Sequence, residues 1–84
     1  MAWKIFFSPG AYRDLNGLEK KDAGRIMKKL EEAAQDPQHY FKKLVGEEDY
    51  RLRVGDYRVI ALFLNPQKLI VVEKIGHRKN VYER

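Results

Sequence analysis

The sequence predicts a single α+β domain: a small antiparallel sheet of about four strands, in the order β-α-α-β-β-β, with two helices packed on one face. Two observations carry that expectation. Helical periodicity is confined to the stretch before residue 37, and period-two alternation with turn residues fills the stretch after residue 49. Helices and strands therefore form separate runs after one opening strand, the pattern of a sheet covered on one side.

Trp3 to Phe7 (WKIFF) is apolar, aromatic and β-prone, and reads as the opening strand. Ser8-Pro9-Gly10 ends it. Ser8 is a helix N-cap and Pro9 suits the first helical position, where its missing N–H costs nothing, so a short helix is expected from Pro9 to about Asn16, ended by Gly17. From Leu18 to about Asp36, Leu18, Ala23, Ile26, Met27, Leu30, Ala33 and Ala34 recur at three- and four-residue spacing and form one apolar stripe. Lys20, Lys21, Arg25, Lys28, Lys29, Glu31 and Glu32 take the opposite face of this long helix, and Pro37 stops it. Gln38 to about Glu48 reads as a polar connection. Tyr50 to Val54 (YRLRV) then alternates with period two, Gly55-Asp56 suits a type II′ hairpin turn, and the chain returns through Tyr57 to Leu64. Asn65-Pro66-Gln67 makes the next turn, and Leu69 to Ile75 supplies the last strand before Gly76.

Composition narrows the function classes. The chain has 84 residues and no cysteine, so neither a disulfide framework nor a thiolate zinc site supplements a small core. Hydrophobic residues make up 44%, too many for a disordered chain even with 35% charged residues. No apolar run approaches the ~20 residues of a membrane span, and the apolar stretch in MAWKIFFSPG is too short for a signal peptide, so a cytoplasmic protein without membrane contact is expected. His39 has no partner at metal-ligand spacing, and neither a metal nor a cofactor is expected. The net charge of +5 and the pI of 9.6 favour a polyanionic partner.

Hairpin geometry says where that charge gathers. With Gly55 and Asp56 as the loop, Val54 faces Tyr57, Arg53 faces Arg58, Leu52 faces Val59 and Arg51 faces Ile60. Arg51, Arg53 and Arg58 then share one face, while Tyr50, Leu52, Val54, Tyr57, Val59, Ala61 and Phe63 form the core face under the helices. The last hairpin brings Gly76, His77 and Arg78 near the Gly55-Asp56 turn, and Arg78 joins the cluster. Clustered like charge is destabilising in a sheet. It either converges on phosphate, which guanidinium grips in bidentate fashion, or is a solvated face whose stems cover Ile60 and Leu62 or pair with Glu47, Glu48, Asp49 and Glu73.

The segments Asp49 to Ile60 (DYRLRVGDYRVI) and Gly76 to Tyr82 (GHRKNVY), with Lys43-Leu44-Val45-Gly46 before them, resemble the RelE/ParE superfamily of bacterial and archaeal toxins, in particular its RelE-like branch. The resemblance covers the whole chain as one RelE-like domain, residues 1–84. It implies a toxin of a type II toxin–antitoxin system that acts as a ribosome-dependent endoribonuclease, cutting mRNA in the A site. Its partners would be the ribosome, mRNA and a cognate acidic, RelB-like antitoxin in a hetero-oligomer. The family's catalytic positions fall on Arg51, Arg53, Arg58, Arg78 and Tyr82, with Val45 replacing an arginine that some members carry.

Metal-independent cleavage needs a base for the 2′-hydroxyl, an acid for the leaving 5′-oxygen and cations for the phosphorane. Tyr82 is the expected base if nearby positive charge favours its phenolate, with Arg58 and Arg78 stabilising the transition state and Arg51 and Arg53 orienting the backbone or assisting proton transfer. His77 is the rival base. Lys42, Lys43, Lys74, His77 and Lys79 are candidate RNA contacts, as are the basic residues of the long helix for ribosomal RNA or an acidic antitoxin. Two alternatives remain: a ParE-like poison of DNA gyrase, and a non-enzymatic RNA-binding module stacking bases on Trp3, Tyr40 or Tyr50. Those three aromatics read as core.

Overall fold

The computed structural model describes residues 2–43 and 48–79. Residues 44–47 and 80–84 lie outside the described residues, and with them most of the Lys43-Leu44-Val45-Gly46 segment, Glu47 and Tyr82. The opening strand, β1 (Lys4–Phe7), stops at Ser8, whose hydroxyl accepts a hydrogen bond from the Ala11 N–H at 3.1 Å and caps α1 (Pro9–Asn16). Helix α2 (Lys20–Ala33) ends three residues short of the expected Asp36. Asp36 and Pro37 instead open a one-turn helix, α3 (Pro37–Tyr40), within the stretch expected to be a plain connection.

Next come β2 (Lys42–Lys43), β3 (Tyr50–Val54), β4 (Tyr57–Leu64) and β5 (Leu69–His77). They form one five-stranded sheet in the order β1-β5-β4-β3-β2. Two features differ from the expected sheet of about four antiparallel strands. Strand β2 has only two residues, too few to display a period in the sequence. Strand β1 pairs with β5 in parallel, Ile5 opposite Ile70, because the helices carry the chain across the sheet before β3, β4 and β5 return as a meander. The hairpins themselves keep the expected register, with Arg53 opposite Arg58 and Arg51 opposite Ile60. At the turn Gly55 takes φ +59°, as the first central residue of a type II′ turn requires.

The core lies between the helices and one sheet face. Ala11, Ile26, Leu30 and Ala33 pack on Leu52, Val54, Val59, Ala61, Ile70, Val72 and Ile75. Trp3 and Tyr50 belong to this layer, their rings 5.3 and 4.0 Å from Phe63. Tyr40 does not: it is 37% exposed, because α3 turns it away from the core. A β-bulge interrupts the pairing of β4 with β5, so that Ile60 faces Lys74 while its neighbour Ala61 faces Val72. Glu73 is the extra residue, and the Asp14 carboxylate accepts from the Ile75 N–H beside it at 3.1 Å. The Ser8 hydroxyl also donates to the Glu73 carbonyl at 3.3 Å, tying the start of α1 to this bulge.

Leu52 is 2% exposed, so Leu52→Ala is expected to lower the unfolding free energy by about 2–5 kcal/mol in urea titrations. Ser8→Ala is expected to cost about 1 kcal/mol through the lost cap. A Leu52→Ala protein as stable as its parent would contradict the packing described.

Candidate nucleic-acid interface

On the face away from the helices, strand register lays out the charged residues in rows. Lys42, Arg51, Ile60 and Lys74 stand opposite one another across β2, β3, β4 and β5. Beside them run Arg53, Arg58 and Gly76. The alternation of YRLRV creates the first half of this pattern and the turn at Gly55 the second. Ile60 is 5% exposed although it points away from the core, so the basic side chains around it serve as its cover.

Tyr40, Lys42, Arg51, Arg53 and Arg58 line a cavity of about 410 Å³ on this face. A polar rim of planar cations with one aromatic ring can bind phosphate oxygens bidentately and stack a base. Arg58 is held in place, its Nη1 donating to the carbonyls of Gly55 and Tyr57 at 3.1 and 3.0 Å. Arg78 reaches the same end of the sheet by its backbone, its N–H donating to the Asp56 carbonyl at 2.7 Å. Lys74 lies on the arginine face, two strands away from Arg51.

Other candidates lie elsewhere. His77 stands opposite Tyr57 on the helix side of the sheet, edge-on to its ring, and its Nδ1 accepts from the Lys79 N–H at 3.2 Å. Lys43 stands opposite Tyr50, so alternation turns it to the side away from Lys42. Tyr82 lies outside the described residues. Tyr40 was the residue sequence reasoning misplaced, and the Asp36-Pro37 helix start was the signal that it leaves the core.

Electrostatics separate the groups further. The Tyr57 hydroxyl donates to Asp22 Oδ2 at 3.2 Å; partial burial, that bond and the charges of Asp22, Glu19 and Asp56 push its pKa up and keep it a donor. On the arginine face, burial first and then the hydrogen bond and charge of Asp49 push the Glu73 carboxyl above the ordinary carboxylate range. Two carboxyl groups hydrogen-bond to each other only when one holds a proton.

A family model described as the ParE toxin of type II toxin–antitoxin systems matches residues 5–82. The chain belongs to this toxin family. No curated protein matches the sequence. Solved structures match the fold of this toxin over nearly its whole length. The Mycobacterium tuberculosis RelBE2 toxin–antitoxin complex contains a chain of TM-score 0.86 at 21% identity, covering 93% of this toxin and 100% of that chain. The Escherichia coli RelBE complex gives a TM-score of 0.78 at 24% identity over 99% and 100%. The Methanococcus jannaschii RelB–RelE complex gives 0.73 at 26% identity over 92% and 94%. Family and fold together place this toxin in the RelE/ParE superfamily.

The folded toxin holds the Glu73 proton more tightly than the unfolded chain does. That contribution to stability is therefore present below the ordinary carboxylate pKa and is lost as pH rises through the raised value. Glu73→Gln keeps a donor for Asp49 without the titration. The stability of the variant relative to the parent is expected to rise in thermal melts as the pH is raised above the ordinary carboxylate value of about 4.3. Parallel melting curves across that range would contradict the shared proton.

Proposed function

We propose that this toxin is a ribosome-dependent endoribonuclease that cuts mRNA in the A site, in the cytoplasm, by attack of a 2′-hydroxyl on the adjacent phosphate. The single observation behind this reading is the basic array of Lys42, Arg51, Arg53 and Arg58 around one cavity, with Arg78 brought to its end. As the 2′-oxygen bonds to phosphorus, its proton passes to a base; the bond to the 5′-oxygen breaks and that oxygen takes a proton from solvent, leaving a 2′,3′-cyclic phosphate and a 5′-hydroxyl. Arg58 and Arg78 balance the charge that develops on the phosphorane, and Arg51 and Arg53 orient the chain on either side of it. Tyr82 supplies the base on the strength of the Gly-His-Arg…Tyr resemblance. Lys42 and Lys74 add contacts to phosphate, while Lys43 and His77 stand off the arginine face and contribute at most to its margins.

An antitoxin partner is supported by the three solved toxin–antitoxin complexes that share the fold. On the arginine face, Phe6, Val71 and Leu62 stand in one row across β1, β5 and β4, and Phe6 is 55% exposed. Such a row suits the apolar side of an amphipathic antitoxin segment whose acidic side meets the cations, forming a hetero-oligomer. A second reading, a poison of DNA gyrase acting by protein contact, is favoured by the ParE description of the matching family.

A cell-free translation reaction separates the two. The parent toxin is expected to cut ribosome-bound message, and Arg51→Ala, Arg58→Ala and Arg78→Ala are expected to slow cleavage by about 10²-fold or more with the fold retained. His77→Gln is expected to cleave like the parent. Intact message together with loss of gyrase supercoiling would replace the nuclease reading by the gyrase one.

A further inference from the structure

Arg53 lines two cavities. Besides the one it shares with Arg51 and Arg58, it forms a wall of a second, of about 460 Å³, between α2 and the β3–β4 hairpin. Arg25, Lys28, Lys29 and Glu32 line the other wall, and Gly55 lies between the two. The contact at Gly55 is close: a Cβ added there would meet Arg25 Nη2 at 2.7 Å, so the guanidinium lies against the turn backbone. Gly55 thus serves two demands, the positive φ of the turn and room for Arg25.

The charge on these walls is cancelled from within only at Lys29. Lys29 pairs with Glu32 at 3.2 Å, and this is the sole ion pair among the described residues, so Arg25, Lys28 and Arg53 keep their charge for an outside partner. The lining also offers little to a folded peptide. Its one apolar side chain, Val54, is 6% exposed and belongs to the core, whereas peptide grooves rely on apolar anchors. Repeating cations without an apolar seat fit a repeating anion.

We propose that this second cavity is a phosphate subsite for the same RNA strand that lies on the sheet. The strand passes from the arginine face over the Gly55–Asp56 turn, and Arg25 and Lys28 take phosphates of nucleotides flanking the cleavage point, with Arg53 as the junction. The subsite rests on the RNA reading above and adds to it a determinant of substrate length. A message with enough flanking nucleotides is bound by both cavities, and a very short one by the sheet alone.

Fluorescence anisotropy with uncleavable 2′-O-methyl RNAs tests this independently of catalysis, using one RNA of about three nucleotides and one of about nine, within the usual span of a single-strand site. For the longer RNA, Arg25→Gln combined with Lys28→Gln is expected to weaken binding roughly tenfold and to lower the slope of log affinity against log salt by about 1.4, at ~0.7 per phosphate. The shorter RNA is expected to bind unchanged. Thermal melts of the double variant verify that it folds like the parent. Equal losses at both lengths, no loss at either, or displacement of the longer RNA's role by an acidic peptide that competes for Arg25 would overturn the subsite alone. A parent toxin that binds neither RNA would overturn the RNA reading and the subsite with it.

Discussion

The register of the β3–β4 hairpin is the constraint from which the working face follows. A two-residue turn leaves the paired strands no freedom to slide, since a slip of one residue would exchange the faces of every side chain. With Gly55 in its left-handed conformation, Val54 is locked opposite Tyr57, and the remaining pairs follow by alternation. Leu52 and Val59 are then committed to the core, and Arg51, Arg53 and Arg58 to the opposite side. Burial of the apolar half thereby holds together a basic half that would otherwise repel itself. The hydrophobic layer under the helices is the force that keeps the guanidiniums assembled.

That arrangement also prepares the site for a charged ligand. Arg58 has two backbone carbonyls as partners, which limit the rotamers it can adopt before anything binds. The stems around Ile60 have packing roles, so the basic residues are ordered in part by the fold and not only by a substrate. Groups fixed in advance lose less entropy on binding and need not reorganise as charge develops on a phosphorane. Tyr40 and Lys42, contributed by the chain just after α3, close the rim from the sheet edge.

Much of this was legible in the sequence where local chemistry is strong. Ser8-Pro9 marked the start of α1, the alternating YRLRV marked β3, and Gly55-Asp56 marked the turn that sets the register. Because register is a local property, the arginine face could be read without a structure. Features that depend on distant pairing could not. The parallel pairing of β1 with β5 leaves no trace in either segment alone, and a two-residue strand such as β2 is shorter than any period. Tyr40 was misassigned to the core because aromatic character suggests burial, whereas the short helix around Pro37 directs it outward. His77 and Arg78, adjacent in sequence, could not be separated by composition, since their sides depend on the irregularity upstream in β5.

That irregularity works as a phase shift. Counting along β5 from Ile70 and Val72 with an unbroken period of two would send Lys74, Gly76 and position 78 toward the helices, and Ile75 and His77 toward the cations. Glu73 absorbs one step of the count, so Ile75 returns to the core, Gly76 stands opposite Arg58 and His77 opposite Tyr57. The bulge thus decides which side of the sheet His77 takes. A chain of the same length that paired without the bulge would turn His77 to the cations and its neighbours the other way, with no residue mutated.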